Sequence, residues 1–520
     1  MAVSYAAGDR AWHPAGGPVA LLLGLLMLGT LAAVFLNAGG GRPGPADWAA
    51  LRFTVMQAAV SAVLSVLLAV PVARALARRR FPGRGLMIVA LGAPFLLPTI
   101  VAALGLVAVF GRAGFVNAGL AALGLPGIGL YGFQGVVLAH VFLNMPLAVR
   151  MILLGWQGIP AERFRLAEAL GFGPAEVRRH LERPMLRSVL PGALLAIFVI
   201  CLTSFAVALI LGGGPRATTV ELAIYQAIRF DFDLTRAAWL AAIQFGLCAL
   251  AVLAAGRLAV PGGLGAGLDR PVPHRGGGRA EHVQDMAVLG LAALFLLLPL
   301  GAVAARGVAG LANLPEVVWW AAARSVAVAA ASALLALAGA LALGLAVVRA
   351  RGGRVYELAG MLPLAASSLV LGTGLFLLVF PFVSPARLAL PVTALVNAAL
   401  ALPFALRILL PALREIEATQ GRLAEALGMP PFARLRLVVL PRLRRPLGFA
   451  AGLVAALSMG DLGVIALFAG EGGATLPLQV YRLMGSYRTM QAEAAALLLI
   501  LLGFGMFWIC DRWGRGRADA

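Results

Sequence analysis

One acid interrupts a long uncharged segment of this 520-residue chain and is the first residue with a possible chemical role. Asp461 lies in the segment 448–469, which contains no other charged residue. If the segment crosses a membrane, a charge at its centre costs about 2.5–3.5 kcal/mol, so the carboxylate should face water or the protein interior. It could offset the charge of a cation there. Pairing with an arginine or with a helix N-terminus is the structural alternative.

Two tyrosines, Tyr225 and Tyr481, occupy matching positions 256 residues apart. Each follows a long apolar run, where an aromatic ring can stack on a flat cation. Tyrosines are equally common at membrane–water interfaces, where they bind no substrate. We treat Asp461 and both tyrosines as candidate residues of a substrate path. The acids near Tyr225 are interpreted as solvated loop charges: Glu221, Asp231 and Asp233.

The composition excludes several kinds of chemistry. All 42 basic residues are arginine, so the chain has no lysine for a phosphate-binding P-loop or a Schiff base. It contains no HExxH or GxSxG sequence, and its three cysteines lie in apolar runs without CxxC spacing. We therefore expect no enzyme activity, no metal and no cofactor in this chain, and any ATP must be hydrolysed by a separate subunit.

A polar sequence occurs twice, at a fixed offset of 257 residues. Residues 166–186 read LAEALGFGPAEVRRHLERPML, and residues 423–443 read LAEALGMPPFARLRLVVLPRL. We call the polar segments that contain them the first repeat loop (157–187) and the second repeat loop (411–446). The recurring residues are Glu168, Ala169, Gly171 and Pro184 in the first loop, and Glu425, Ala426, Gly428 and Pro441 in the second.

Each copy has the local pattern of a short helix followed by a tight turn. Pro160 can start a helix at its first position, and residues 161–170 are rich in helix formers. Gly171 and Gly173 are predicted to end that helix, because glycine accepts the left-handed conformation of a C-cap. Pro174 then starts a second helix.

The chain is 61% hydrophobic and only 12% charged, which is typical of a polytopic membrane protein. The apolar runs are continuous rather than alternating, so they predict helices and exclude a β-barrel. Gly105 and Gly374 are small residues that should let such helices approach closely. The predicted spans, each about 20 residues or longer, lie near 17–37, 53–76, 86–110, 133–155, 188–211, 237–256, 285–305, 320–348, 357–380, 388–410, 446–469 and 491–511.

The distribution of arginine orients these twelve spans. If the N-terminus is cytoplasmic, the inner loops and helix ends hold 31 arginines and the outer ones hold 11. This asymmetry agrees with the positive-inside rule and places both termini and both repeat loops in the cytoplasm. It also explains the net charge of +20 without a nucleic-acid partner, so membrane lipid is the expected surroundings.

The segment 259–284 is rich in glycine and proline and is predicted to be a cytoplasmic linker. Six predicted spans precede it, in residues 1–258, and six follow it, in residues 285–520. An even number gives both halves the same orientation, so the sequence predicts a parallel repeat about an axis normal to the membrane.

The two repeat loops resemble the cytoplasmic "EAA" loop of permease subunits in binding-protein-dependent ABC importers. The resemblance implies a fold of two MetI-like permease domains in a bacterial inner membrane. It also implies that each loop is a coupling element that docks on one of two copies of a cytoplasmic ATPase. One feature departs from the pattern, since Leu170 and Leu427 stand where the family has its second alanine.

Five longer stretches narrow the resemblance. They are RRRFPGR at 78–84, GVVLAHVFLNMPLAVR at 135–150, LGGGPRATTVELAIYQAIRFDFDLTRAA at 211–238, GDLGVIALF at 460–468 and YRLMGSYR at 481–488. Together they resemble the fused permeases of thiamine importers. This resemblance implies that the chain takes thiamine, and its phosphate esters, from a periplasmic binding protein, and that Asp461 and the tyrosines would face a cationic cargo. The similar ferric-iron permeases share the fusion and remain an alternative.

Two further classes of protein compete with this interpretation. An ion-coupled secondary transporter would explain twelve helices and a parallel repeat, but not the two repeat loops, and it usually has more intramembrane acids than Asp461. A membrane enzyme would need clustered carboxylates or a nucleophile motif, which the apolar runs lack. Copurification of an ATPase subunit distinguishes an importer from both.

Overall fold

The computed structural model describes residues 15–39, 43–92, 97–214, 217–258, 278–350, 352–470 and 472–515. In these ranges the chain is helical and has no β-strand. Eleven helical segments are long and apolar enough to cross a membrane, or up to twelve if the bent pair Gly353–Ala365 and Ser368–Val379 is one span. The predicted fold class, an all-α polytopic membrane protein, is confirmed.

The first half contains both long apolar helices and short ones. A π-helical turn, Arg178–Glu182, joins the eighth helix to the ninth. In chain order the helices are α1 (Gly16–Asn37), α2 (Pro45–Arg78), α3 (Arg84–Ala90), α4 (Thr99–Phe110), α5 (Phe115–Ala122), α6 (Phe133–Gln157), α7 (Ala161–Ala169), α8 (Pro174–Val177), α9 (Arg183–Leu202), α10 (Ala206–Leu211), α11 (Val220–Arg229) and α12 (Leu234–Leu258).

The second half follows the same order with fewer interruptions. A second π-helical turn, Leu435–Val439, lies 257 residues after the first and precedes the matching helix. The helices are α13 (Arg279–Gly310), α14 (Glu316–Arg349), α15 (Gly353–Met361), α16 (Ser368–Val379), α17 (Ala389–Ala426), α18 (Pro431–Arg434), α19 (Leu440–Met459), α20 (Gly463–Phe468), α21 (Leu476–Gly485) and α22 (Thr489–Arg515).

Several predicted spans are not continuous helices. The predicted span 86–110 is divided between α3 and α4, and the span 357–380 bends by 92° between α15 and α16. Pro363 lies at this second break; proline has no N–H to donate and its ring disrupts a helix interior. The predicted spans 188–211 and 446–469 are also interrupted, after Leu202 and after Met459. The third, fifth, ninth and eleventh predicted spans are therefore each divided between two helices. In the sequence, Pro94 and Pro98 indicate a kink in the third span and Pro363 indicates one in the ninth.

The first helix of each half packs against the other half. Helix α1 contacts α14 and α16, whereas α13 contacts α2 and α4. The two glycines predicted to allow close packing lie at these contacts. A Cβ on Gly374 would lie 2.5 Å from the Thr30 carbonyl oxygen in α1, and one on Gly105 would lie 2.8 Å from that of Pro299 in α13. The two halves of the sequence are thus interlocked in space.

The short helices α11 and α21 begin inside the bundle. The backbone N–H of Val220 donates to the Thr54 hydroxyl of α2 at 2.9 Å. In the second half, the N–H of Leu476 donates to the Ser325 hydroxyl of α14 at 2.7 Å. Both hydroxyls satisfy N-terminal donors that have no partner within their own helix. Each short helix therefore starts at a buried anchor and runs outward.

Most of the predicted linker, 259–277, lies outside the described residues, as do the terminal segments 1–14 and 516–520. Residues 279–284 of the predicted linker belong to α13. Ion pairs fasten the start of α13 to the end of α2. Arg78 pairs with Glu281 at 2.8 Å and Arg79 with Asp285 at 2.6 Å.

Candidate coupling loops and substrate cavity

Both repeat loops contain a helix that ends at a left-handed glycine. Helix α7 ends at Ala169, and Gly171 has a φ of 67°. Helix α17 ends at Ala426, and Gly428 has a φ of 58°. The predicted left-handed conformation is confirmed at Gly171 and Gly428. It is wrong for Gly173, which has a φ of −78° and is the extended N-cap residue of α8, because the helix has already ended at Gly171. A Cβ on Gly171 or Gly428 would meet no atom of the described residues outside its own turn within 4 Å, so these turns leave space for a side chain.

The two prolines of the repeat occupy equivalent positions after the π-helical turns. Pro184 is the second residue of α9, and Pro441 is the second residue of α19. A proline ring clashes with the carbonyl of the residue four positions earlier in a regular helix. A wider turn before each proline separates these groups, and π-helical turns of this kind are frequent at functional sites.

The repeat loops differ where they join the preceding span. Residues 158–160, which end in Pro160, separate α6 from α7 in the first loop. The matching residue of the second loop is Glu417, and α17 passes through it without a break. Arg349 and Arg434 approach the Glu417 carboxylate at 3.1 Å and 2.9 Å. The second loop is thus a continuation of its span, stabilised by ion pairs.

Glu425 of the repeat lies 3.7 Å from Arg434, and its side chain is 60% exposed. In the first loop the buried acid is Glu182, which pairs with Arg74 of α2 at 3.0 Å. The Glu168 side chain is exposed on α7. An ion pair therefore ties each loop to a long helix, Glu182 to Arg74 of α2 and Glu417 to Arg349 of α14, and neither of these pairs involves the repeated glutamate.

Both repeat loops expose leucines at matching positions, which sequence reasoning did not identify as contact residues. Leu166 and Leu170 are 61% and 62% exposed, and Leu423 and Leu427 are 60% and 67% exposed. The members of each pair are four residues apart, so they share one face of a short helix. Exposed apolar patches are common at interaction sites. The sequence did contain a signal for these leucines, because the hexapeptide LAEALG that recurs in both loops includes them.

Tyr225 and Tyr481 line a single cavity of about 290 Å³, which we call the tyrosine cavity. Tyr225 comes from α11 of the first half and Tyr481 from α21 of the second. Phe205 and Phe230 pack on the Tyr225 ring with centroids 5.3 Å and 5.8 Å away. The volume is near the lower limit of small-molecule pockets, about 300 Å³. The other lining residues are Ala208, Leu209, Gly213, Gly214, Leu222, Gln226 and Phe230.

The tyrosine cavity and the first repeat loop lie at opposite ends of a span. Helix α9 starts in the last part of this loop and runs for 20 residues, and three residues later the chain enters α10, which lines the cavity. A helix of 20 residues is about 30 Å long, close to the hydrocarbon thickness of a bilayer. The cavity is therefore about one membrane thickness from the loop.

Asp461 does not line the tyrosine cavity. It follows α19, and its Oδ1 accepts a hydrogen bond from the Gly463 N–H at 3.3 Å, at the start of α20. This geometry favours the structural alternative, an acid at a helix N-terminus. The other oxygen, Oδ2, has no hydrogen-bond partner among the described residues.

The three acids near Tyr225 do not form one group. Asp231 and Asp233 are exposed, and both interact with Arg236 at the start of α12. Glu221 is fully buried on α11, so its interpretation as a solvated loop charge is wrong. The physical reason is that the stretch after residue 219 folds back into the bundle as a helix instead of forming an outer loop.

Comparisons with known proteins agree with this architecture. A family model described as "Binding-protein-dependent transport system inner membrane component" matches residues 336–516. The thiamine transport system permease protein ThiP of Brucella abortus is 40% identical over 98% of this chain and 97% of its own length. The ThiP protein of Escherichia coli is 39% identical over 89% of both chains. The sulfate permease CysW of Synechocystis is 26% identical over 39% of this chain. This chain belongs to the ThiP family of binding-protein-dependent transport system permeases.

Proposed function

We propose that this chain imports thiamine, and thiamine phosphates, as the membrane permease of an ABC importer. The observation that carries the proposal is the near-full-length similarity to ThiP proteins, which are named as thiamine transport permeases. The tyrosine cavity supports it, because the thiazolium ring of thiamine is a flat cation and tyrosine faces attract such rings.

The proposed partners are two copies of a cytoplasmic ATPase and a periplasmic thiamine-binding protein. Each repeat loop offers the ATPase an apolar helix face, formed by Leu166 and Leu170 in the first loop and by Leu423 and Leu427 in the second. The recurring glutamates, glycines and prolines keep these faces in similar positions. ATP hydrolysis in the partner would move the loops, and the continuous helix α17 would pass the movement into the bundle.

In the proposed orientation both termini and both repeat loops lie in the cytoplasm of a bacterial cell. The arginine distribution supports it, with 31 arginines on the inner side and 11 on the outer. The tyrosine cavity then faces the periplasmic end, where a binding protein delivers its cargo. Cargo would enter between α11 and α21 and continue along the interface of the two halves.

The test is uptake by proteoliposomes that contain the permease and its ATPase, supplied with thiamine-loaded binding protein. We expect thiamine to stimulate both ATP hydrolysis and uptake. Hydrolysis stimulated only by ferric iron would instead identify the related iron importer. Uptake that follows an ion gradient without the ATPase would indicate a secondary transporter.

A matched pair of variants tests the tyrosine cavity in the same assay. Tyr225→Leu removes the aromatic face, and Tyr225→Phe keeps it. A cation–π contact contributes about 0.5–2 kcal/mol, so the leucine variant should lose roughly twofold to thirtyfold in uptake efficiency while the phenylalanine variant stays near the wild type. Equal uptake by the wild type and both variants would exclude a role for this ring.

A further inference from the structure

Glu221 is a buried acid one helical turn from the tyrosine cavity. It has no exposed surface and lies in the first turn of α11. Tyr225 follows four residues later, so both side chains are on the same face of this helix. Helix α11 contacts α16 and α20 of the second half, which places Glu221 at the interface between the halves.

The surroundings of Glu221 are polar but do not include a basic partner. Ser367, at the start of α16, and Gln244 of α12 lie beside the carboxyl group. The Ser367 hydroxyl accepts from the Val370 N–H, and the Gln244 amide donates to the Leu202 carbonyl at 2.9 Å. Among the described residues no arginine pairs with Glu221, and Ser367 and Gln244 lie near its oxygens without forming a hydrogen bond of standard distance and angle.

The fold itself does not require an acid at this position. The second half places Pro477 at the matching position of α21, and that helix has the same buried anchor. An acid in a first helical turn gains some stability from the helix dipole, but this gain is much smaller than the desolvation penalty of an unpaired charge. Ionisable residues kept inside a membrane bundle usually serve substrate or ion pathways.

We propose that Glu221 is the counter-ion for cationic cargo along the interface between the halves, directly after the tyrosine cavity. This inference rests on the proposed import of thiamine. A thiazolium ring that leaves Tyr225 and Tyr481 loses water as it moves deeper, and the Glu221 carboxylate offsets that loss. The neighbouring side chains of Ser367 and Gln244 are polar but neutral. They therefore leave the negative charge of Glu221 available to the cationic cargo.

The experiment compares wild-type permease with Glu221→Gln and Glu221→Asp in proteoliposomes that contain the ATPase and thiamine-loaded binding protein. Glu316→Gln is the matched control, because Glu316 also lies in the first turn of a helix, α14, but is exposed and accepts a hydrogen bond from Trp320. We expect Glu221→Gln to lower thiamine uptake about tenfold or more, with ATPase association and stimulated hydrolysis within about twofold of the wild type. Glu221→Asp, which keeps the charge, should retain intermediate uptake, and the control should be normal.

A neutral isostere of thiamine, with a thiophene ring in place of the thiazolium, isolates the effect of charge. All variants receive the same binding protein, so the ratio of their uptake rates to that of the wild type reflects only the change in the permease. Uptake of the isostere should fall by less than about twofold in Glu221→Gln. If the wild type does not take up the isostere, the comparison of thiamine uptake by Glu221→Asp and Glu221→Gln tests the role of the charge instead.

Three results would overturn this inference while leaving the proposed function intact. They are normal thiamine uptake by Glu221→Gln, a parallel loss of uptake and ATPase association that indicates misfolding, and the same uptake by the glutamine and aspartate variants. Failure of the wild type itself to take up thiamine would instead reject the proposed function.

Discussion

At the residue scale, Gly171 and Gly428 combine a left-handed backbone with open space on the side where a Cβ would lie, among the residues that the structure describes. A left-handed conformation costs a residue with a Cβ about 1–2 kcal/mol. We predict that Gly171→Val or Gly428→Val disturbs only the local turn, so the permease still inserts, but the amount of copurified ATPase falls. The double variant should lose more ATPase than either single one.

Asparagine variants at the same glycines are the control, because asparagine tolerates the left-handed conformation better than valine. Glu168→Ala should also be mild, since a solvent-exposed ion pair contributes only about 0–1 kcal/mol. ATPase recovered per permease, together with uptake, measures all of these variants. Normal recovery and uptake in the double valine variant would mean that these loops do not couple to the ATPase.

Individual positions in the repeat loops could be predicted from the sequence, because glycine and proline have strong local preferences. The buried state of Glu221 could not be predicted in this way. Its neighbours in sequence, such as Arg229 and Asp231, are typical of an outer loop. Only the anchoring of Val220 on Thr54, a contact between distant parts of the chain, shows that this stretch turns inward.

At the element scale, hydrophobicity located the membrane spans but not their breaks. An apolar run of 20 residues has the same composition whether or not its helix is continuous. Pro363 signalled one break, whereas the interruption after Met459 depends on Asp461 and the start of α20. Continuity of α17 beyond its span was equally hidden, because it depends on the ion pairs of Glu417.

The contact between α1 and α16 leads to a stability prediction. A side chain on Gly374 would collide with the backbone of Thr30, which cannot move without shifting α1. Overpacking of this kind costs about 1–3 kcal/mol. We expect Gly374→Val to lower the Tm of the detergent-solubilised permease by a few degrees.

Gly24 provides a matched control within α1, because a Cβ there would meet no atom within 4 Å. The Tm of Gly24→Val should therefore equal that of the wild type. If Gly374→Val also left the Tm unchanged, the close approach of α1 and α16 in this structure would be contradicted.

At the scale of the whole molecule, the internal repeat predicted two similar halves but not how they are joined. Matching residues recur at offsets of 256–257 residues in the repeat loops and at the tyrosines, which is visible in the sequence alone. The packing of α1 and α13 against the opposite half is not visible in the sequence, because both helices are apolar and could pack on many helix surfaces. A consequence is that removing α1 should expose α14 and α16 of the other half.

The orientation of the molecule leads to the last prediction, which concerns both termini and the linker. Single cysteines at Ala7, His274 and Ala518, positions outside the described residues, should react with a membrane-impermeant maleimide only after the membrane is opened. The background carries Cys510→Ser, because Cys201 and Cys248 are buried and Cys510 is partly exposed.

Leu125→Cys is the positive control. Leu125 is 52% exposed and lies before α6, at the opposite end of that span from the first repeat loop. It should react in intact spheroplasts. Labelling of Ala7→Cys or His274→Cys in intact spheroplasts would reverse the orientation inferred from arginine and place the repeat loops out of reach of a cytoplasmic ATPase.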